Sequence, residues 1–243
     1  MNDQVPQAQK RRLPASQLTV DEQVTAVYSI NLLDQFGLIH LWSYVQENNR
    51  SDCLPYHNEQ HLLNMVSWCG KLYMSDSLVF DGGQLKLLLA AACLHDVNHS
   101  GGMRPDSENI EQAYLFVESA ASWIKDPDTK AWLKFNKDAI KNLIKVTEFP
   151  FVHEPKTSLQ KMLRDADILQ NFSGHCVKYL NGLWQEFSRS GNVLSAEELI
   201  ERQEVFMREV VFYTYTGQAI KATVGRQVFT EQAKHFLALK DVN

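Results

Sequence analysis

Residues 85–94 carry a single charge, Lys86, and the two residues that follow them are His95 and Asp96. A run this short cannot cross a bilayer, which takes about 20 apolar residues. It reads instead as a helix buried in a packed core. A core helix that ends on a histidine and an aspartate carries two titratable groups to the edge of its own interior. The rest of the chain has to wrap around that polar pair and supply something that tolerates it.

Most of the remaining sequence shows apolar residues at helical spacing. After a polar arm over 1–16, Ser16 is a plausible cap, and Val20, Val24, Val27, Tyr28, Ile30, Leu32 and Leu33 begin a first helix that runs to the mid-forties. Residues 47–55 form a loop, because they lack periodicity and Pro55 biases Leu54 away from helix. Further helices are predicted over 59–74, 84–96, 107–123, 129–148, 158–172, 175–188, 195–215 and 218–238. The breakers between them include Asp81-Gly82-Gly83, Gly101-Gly102 with Pro105, Asp126-Pro127-Asp128, Pro150 with Pro155, Gly174, Gly191-Asn192 and Gly217. No alternating strand, linker or internal repeat interrupts the series. The prediction is an all-α fold, one compact multi-helix bundle over 17–243.

With 44% apolar and 22% charged residues the chain can bury one substantial core. Its net charge of −5 lacks the basic surplus that holds nucleic acid, so nucleic acid is not an expected partner. Cys53, Cys69, Cys93 and Cys176 form no C-x-x-C pair and are too few for a disulfide scaffold, which favours a reducing, cytoplasmic setting. Lys10, Arg11 and Arg12 are followed by no apolar segment, so the N-terminus does not read as a signal peptide, and no membrane association is expected.

Four of the eight histidines fall in pairs four residues apart, His57 with His61 and His95 with His99. On a helix each pair would aim two imidazoles at one point. Asp96, at the end of the apolar run, would cost several kcal/mol as an unpartnered buried carboxylate, and a divalent metal is the economical partner. A further acidic ligand should come from far along the chain. Asp165 and Asp167 both lie in an otherwise apolar helix, about 200° apart around its axis, so only one can face the same pocket.

These residues resemble the HD-domain metal-dependent phosphohydrolases. More narrowly, Tyr56-His-Asn-Glu-Gln-His61 followed by His95-Asp-Val-Asn-His-Ser-Gly101 is similar to the signatures of cyclic nucleotide phosphodiesterase catalytic domains. Weaker likeness continues through Glu108-Asn109, Thr147-Glu148, Trp184-Gln-Glu-Phe-Ser-Arg-Ser-Gly191 and Gln203-Glu-Val-Phe206, covering roughly 41–217.

The resemblance implies that His61, His95, Asp96 and Asp167 hold a first metal and that Asp96 bridges to a second, held otherwise mainly by water. His57 would be the general acid and His99 a group hydrogen-bonded to metal water. Tyr56, Gln203 and Phe206 would contact substrate, Gln203 at the base edge and Phe206 stacked on the ring. Mixed imidazole and carboxylate ligands suit Zn²⁺, Mn²⁺ or Fe at the first site, and a water-rich second site suits Mg²⁺ or Mn²⁺. The expected partner is a small-molecule nucleotide, with oligomeric state left open between monomer and homodimer.

Two positions depart from the family pattern. Arg104 stands where an amide is expected, and Gln170 stands where an Asn often helps to read the base. Both bear on base preference rather than on hydrolysis. The expected reaction is opening of a 3′,5′-cyclic nucleotide to the 5′-monophosphate. Another HD-domain substrate (a nucleoside monophosphate, an alarmone or a cyclic dinucleotide) is the alternative, and a nucleotide-binding domain without turnover is a third reading. Glu108 and Glu148 are read as either imidazole-orienting or surface acids. Tyr114, Trp123, Trp132 and Phe135 are read as core, and His40, His153, His175 and His235 receive no role.

Overall fold

The computed structural model describes residues 18–238; the polar arm expected over 1–16 and residues 239–243 lie outside the described residues. Ten α-helices follow one another: α1 Val20–Gln35, α2 Ile39–Asn48, α3 Glu59–Asp76, α4 Gly82–Leu94, α5 Asp106–Trp123, α6 Pro127–Ile144, α7 Ser158–Leu169, α8 Cys176–Arg189, α9 Ala196–Glu209 and α10 Tyr215–Ala238. Single 3₁₀ turns extend α6 over Lys145–Thr147 and α7 over Gln170–Phe172. No strand occurs among the described residues, so the all-α prediction holds.

The apolar run forms α4, and it is buried almost all round: Leu85, Leu88, Leu89 and Ala90 through Leu94 are closed to solvent. Each leucine sunk this way stabilises the fold by about 1.5–3 kcal/mol. Asp81 caps its first turn by accepting the Gly83 and Gln84 N–H groups. Helices α3, α6 and α7 pack around α4, and α1 lies on α3. A smaller apolar cluster of Leu180, Leu194, Leu199, Ile200 and Phe236 joins α8, α9 and α10.

Three differences from the sequence reading have clear causes. The first helix is two, because Gly37 takes a left-handed conformation (φ 64°). There its N–H donates to Asp34 while Leu38 N–H donates to Leu33, a Schellman stop. The predicted 195–215 helix ends at Glu209, and α10 begins at Tyr215 rather than 218. Asp165 draws out the segment between them by accepting the N–H groups of Tyr213 and Thr214 and the Thr214 hydroxyl. Trp123 and Phe135, expected in the core, are 74% and 89% exposed.

Glu22 links the first helix to α8. It closes a capping box with Thr19 and also receives the Lys178 ammonium, although its side chain is only 1% exposed. Burial pushes its carboxyl up, and Lys178 with the Thr19 hydrogen bonds outweighs this, leaving it below its ordinary value. Such a group stabilises the fold above its unfolded pKa, and the contribution fades as pH falls through the folded value. Glu22→Gln should therefore cost about 1 kcal/mol at pH 7 by denaturant titration. The gap from the parent protein should close on acidification below pH ~4; a gap independent of pH would remove the ion pair from the account.

Candidate active site

Asn58 starts α3 by accepting the His61 N–H while its amide donates to the Leu54 and Pro55 carbonyls. His57 therefore stands before the helix and His61 in its first turn. At the other end, His95 follows the last residue of α4, and Asn98 turns the chain through a left-handed conformation (φ 59°) that asparagine tolerates. The two histidine pairs are thus not stacked along continuous helices as their spacing suggests. Helix ends bring them together, with the rings of His57 and His99 stacked at 3.5 Å.

The donor atoms of His61, His95, Asp96 and Asp167 all lie within 4.8 Å of one another. His61 Nε2 is 3.0 Å from His95 Nε2 and 2.8 Å from Asp96 Oδ2, and His95 Nε2 is 3.1 Å from the same oxygen. Asp167 Oδ1 stands 3.8 Å and 3.7 Å from the two imidazoles. Donors around one ion at about 2.1 Å sit roughly 3.0–3.4 Å apart, so the set fits a divalent metal. The chemistry agrees. His95 Nδ1–H donates to the Ala92 carbonyl, which turns the lone pair of Nε2 toward another imidazole nitrogen and a carboxylate oxygen. Two imidazole nitrogens and a carboxylate oxygen thus converge on one point, a donor set of the kind a divalent cation takes.

The electrostatics carry the same signature. Burial opposes charge on both His95 and Asp96. Even so, Asp96 is held well below its ordinary value by His95 and His61, and His95 is held well above its own by Asp96 and Asp167. The pocket keeps its carboxylate ionised, and the matching positive charge sits on the neighbouring imidazole.

Asp165 faces elsewhere, bound to Tyr213 and Thr214 as described, and its burial raises its carboxyl. Its neighbour Arg164 donates to the Val146 and His153 carbonyls and lies over the Phe151 ring.

A second group stands beside the first. Glu186 Oε2 meets His57 Nδ1 at 2.6 Å, while Oε1 accepts the backbone N–H groups of Tyr56 and His57. His57 Nε2 lies 3.9 Å from Asp96 Oδ2. Burial and the stacked His99 pull the His57 pKa below its ordinary value against the pull of Glu186 and Asp96. His99 has both ring nitrogens engaged: Nδ1 accepts the Gly101 N–H, and Nε2 faces Asn109 and Asp106. Tyr56 is buried, its ring packed edgewise on His57 and tilted against His61.

Sequence reasoning assigned no role to Glu186 or Asp106. The available signal for Glu186 was a charge between Trp184 and Phe187, one turn past Gly182, on the face α8 buries. A Cβ on Gly182 would come within 2.9 Å of the Pro55 carbonyl oxygen, so that glycine lets α8 reach the 55–57 loop. Gly182→Ala should cost about 1–3 kcal/mol and disturb the His57 imidazole NMR signals while bound metal stays near the parent level. Unchanged stability and signals would show that the approach is not needed.

Gln203 finds a partner within the protein. It is buried, and its amide donates to Gln232, which in turn donates to the Cys176 carbonyl. That bond ties α9 to α10. Phe206 parts from it and lines a cavity of about 610 Å³ with Phe149, Phe151, Arg164, Arg202 and Tyr213. Phe149, in its lining, donates its N–H to Asp106, the carboxylate beside His99. Gln170 lies behind His61, 2.8 Å from its Nδ1, rather than in a base pocket. Glu108 sits on the surface near Arg104, and Glu148 pairs with His153.

No protein-family model matches the chain, and no curated protein matches it significantly in sequence. Solved structures do. The phosphodiesterase domain of the RhoPDE fusion protein from the choanoflagellate Salpingoeca rosetta superposes with a TM-score of 0.61 at 14% identity, over 95% of each chain. LmjPDEB1, solved in complex with IBMX, gives 0.57 at 13% identity, over 94% of this chain and 90% of that one. The helices of this chain thus take up the fold of a phosphodiesterase domain.

Proposed function

We propose that the protein is a metal-dependent phosphodiesterase that opens a 3′,5′-cyclic nucleotide to the 5′-monophosphate, with its catalytic unit over 17–243. The observation that carries this reading is the convergence of His61, His95, Asp96 and Asp167 beside a histidine that Glu186 orients. Those four residues would hold the first ion, Zn²⁺, Mn²⁺ or Fe, and Asp96 would also serve a second, Mg²⁺ or Mn²⁺, held otherwise mainly by water. Such ions neutralise phosphodiester charge and bring the pKa of a water toward neutrality.

The chain's own residues supply the rest. Glu186 accepts the His57 Nδ1–H and fixes the ring so that Nε2 points toward Asp96, where it can protonate the departing ribose oxygen. Asp106 and Asn109 hold His99 against the His57 ring, so His57 is clamped from its edge and its face. Phe206 lines a cavity of mixed character, with Phe149, Phe151 and Tyr213 beside Arg164 and Arg202, that would receive the organic part of the substrate.

A second reading is favoured by one finding: the Gln203 amide donates to Gln232 between α9 and α10, a partner other than a base edge. The same centre could then serve a different nucleotide ester. The deciding experiment is turnover by purified protein, with metals added singly, against a panel of cyclic and linear nucleotides and the phosphate position followed by NMR. Formation of a 5′-monophosphate from a 3′,5′-cyclic nucleotide is expected. Activity confined to linear or dinucleotide substrates would move the assignment to the second reading, and none on any substrate would leave a binding domain.

A further inference from the structure

Behind the metal-ligand cluster, a cavity of about 90 Å³ opens between α1, α3 and the start of α8. Asn64, Ser67, Lys71, Gln170, His175 and Tyr179 line it. One water needs roughly 10–15 Å³ of such space, so the cavity can take a small molecule.

Its polar groups are unevenly satisfied. Ser67 is 2% exposed, and its hydroxyl has no hydrogen-bond partner. Buried hydroxyls are almost always partnered, so one facing a cavity points to something that occupies it. Lys71 lies over the Trp68 ring at 4.9 Å, and among the described residues no carboxylate pairs with it. Glu22, the acid in the lining, is saturated, its two oxygens taken by Lys178 and Thr19. Among these lining groups, the Ser67 hydroxyl inside and the solvent-exposed Lys71 ammonium at the edge have no carboxylate or hydrogen-bond partner among the described residues.

We propose that this cavity binds a small tetrahedral oxyanion of the phosphate type, and that its occupancy is coupled to metal binding at His61 through Gln170. The coupling, unlike the binding, rests on the metal reading above. A metal on His61 Nε2 leaves the proton on Nδ1, which then needs an acceptor. Gln170 currently sets its Nε2 against that nitrogen and its Oε1 toward Asn64 at 3.4 Å. Turning the amide over offers Oε1 to the His61 Nδ1–H and sends Nε2 toward the cavity, where an anion can accept it. Asn64 is not stranded by the turn, because its amide already donates to the Tyr179 hydroxyl at 2.7 Å. Anion and metal would thus favour the same amide orientation, and each would tighten the other.

The test uses the full-length, zinc-loaded protein titrated with inorganic phosphate, read at the backbone amides by ¹⁵N NMR. Saturable shifts are expected at Ser67, Lys71 and Ser173, weakened at least tenfold in Lys71→Met and in Ser67→Ala. Shifts confined to 57–61 and 95–99, or shifts indifferent to both substitutions, would place the anion at the metals and overturn the site. Zinc affinity is then measured by chelator competition with and without sulfate, which does not precipitate zinc. About a fivefold gain is expected in the parent protein and none in Lys71→Met. Anion binding without that gain would overturn the coupling. Failure to bind zinc in either condition would instead overturn the metal reading.

Discussion

Asp96→Ala should strip the protein of bound metal and lower turnover by roughly 10³-fold or more, because one carboxylate would be lost to both ions at once. A single Asp96 oxygen stands within 3.1 Å of both His61 and His95 and faces His57 from 3.9 Å. The substituted chain should still fold, since α4 and the helices around it bury their apolar surface without help from this side chain. Metal content by mass spectrometry and helicity by circular dichroism check the two halves of the prediction separately. Helical protein that keeps stoichiometric metal would remove Asp96 from the ligand set. Asp165→Asn offers the contrast. It should leave metal content near the parent value but weaken the hold on the 210–214 segment, because Asp165 serves the backbone there and not the cluster.

The candidate ligand set was legible in the sequence because it breaks a local rule. His95 and Asp96 end an apolar run, and Asp167 lies in another, so each is a charge where packing alone would place none. The choice of Asp167 over Asp165 rests on resemblance; in the structure Asp167 stands in the cluster and Asp165 holds the 213–214 backbone. Asp165 is needed to pull 210–214 out of helix, a demand that exists only once α9 and α10 are placed. The same limit explains Gln203. The spacing Gln203-x-x-Phe206 puts both residues on one side of α9, but whether that side meets a ligand or Gln232 depends on where α10 lies, and periodicity does not say. His57 and His99 were paired with their partners for a helical reason that the Asn58 and Asn98 turns overturn, although the chain still brings them side by side. Glu186 lay beyond reach in another way: 129 residues separate it from His57, and only the approach of α8 at Gly182 joins them.

That long-range pair sets the remaining prediction. If His57 donates the proton to the leaving oxygen, His57→Ala should leave metal content intact and slow cyclic nucleotide hydrolysis by roughly 10²–10⁴-fold. A p-nitrophenyl ester, whose leaving group needs little protonation, should lose far less. Glu186→Gln is the sharper probe, since Glu186 touches His57 but none of the metal ligands in the first group. An amide there can still accept the Nδ1–H but no longer stabilises the imidazolium. Burial and the neighbouring His99 already pull the His57 pKa down, and Glu186 opposes them, so losing its charge should lower that pKa further. The rate on the cyclic nucleotide should then fall, and the alkaline limb of its pH profile should move to lower pH, because less His57 stays protonated at any given pH. The nitrophenyl ester should show neither change. Equal losses on the two substrates, in either variant, would mean that the Glu186–His57 pair holds the site together without delivering a proton.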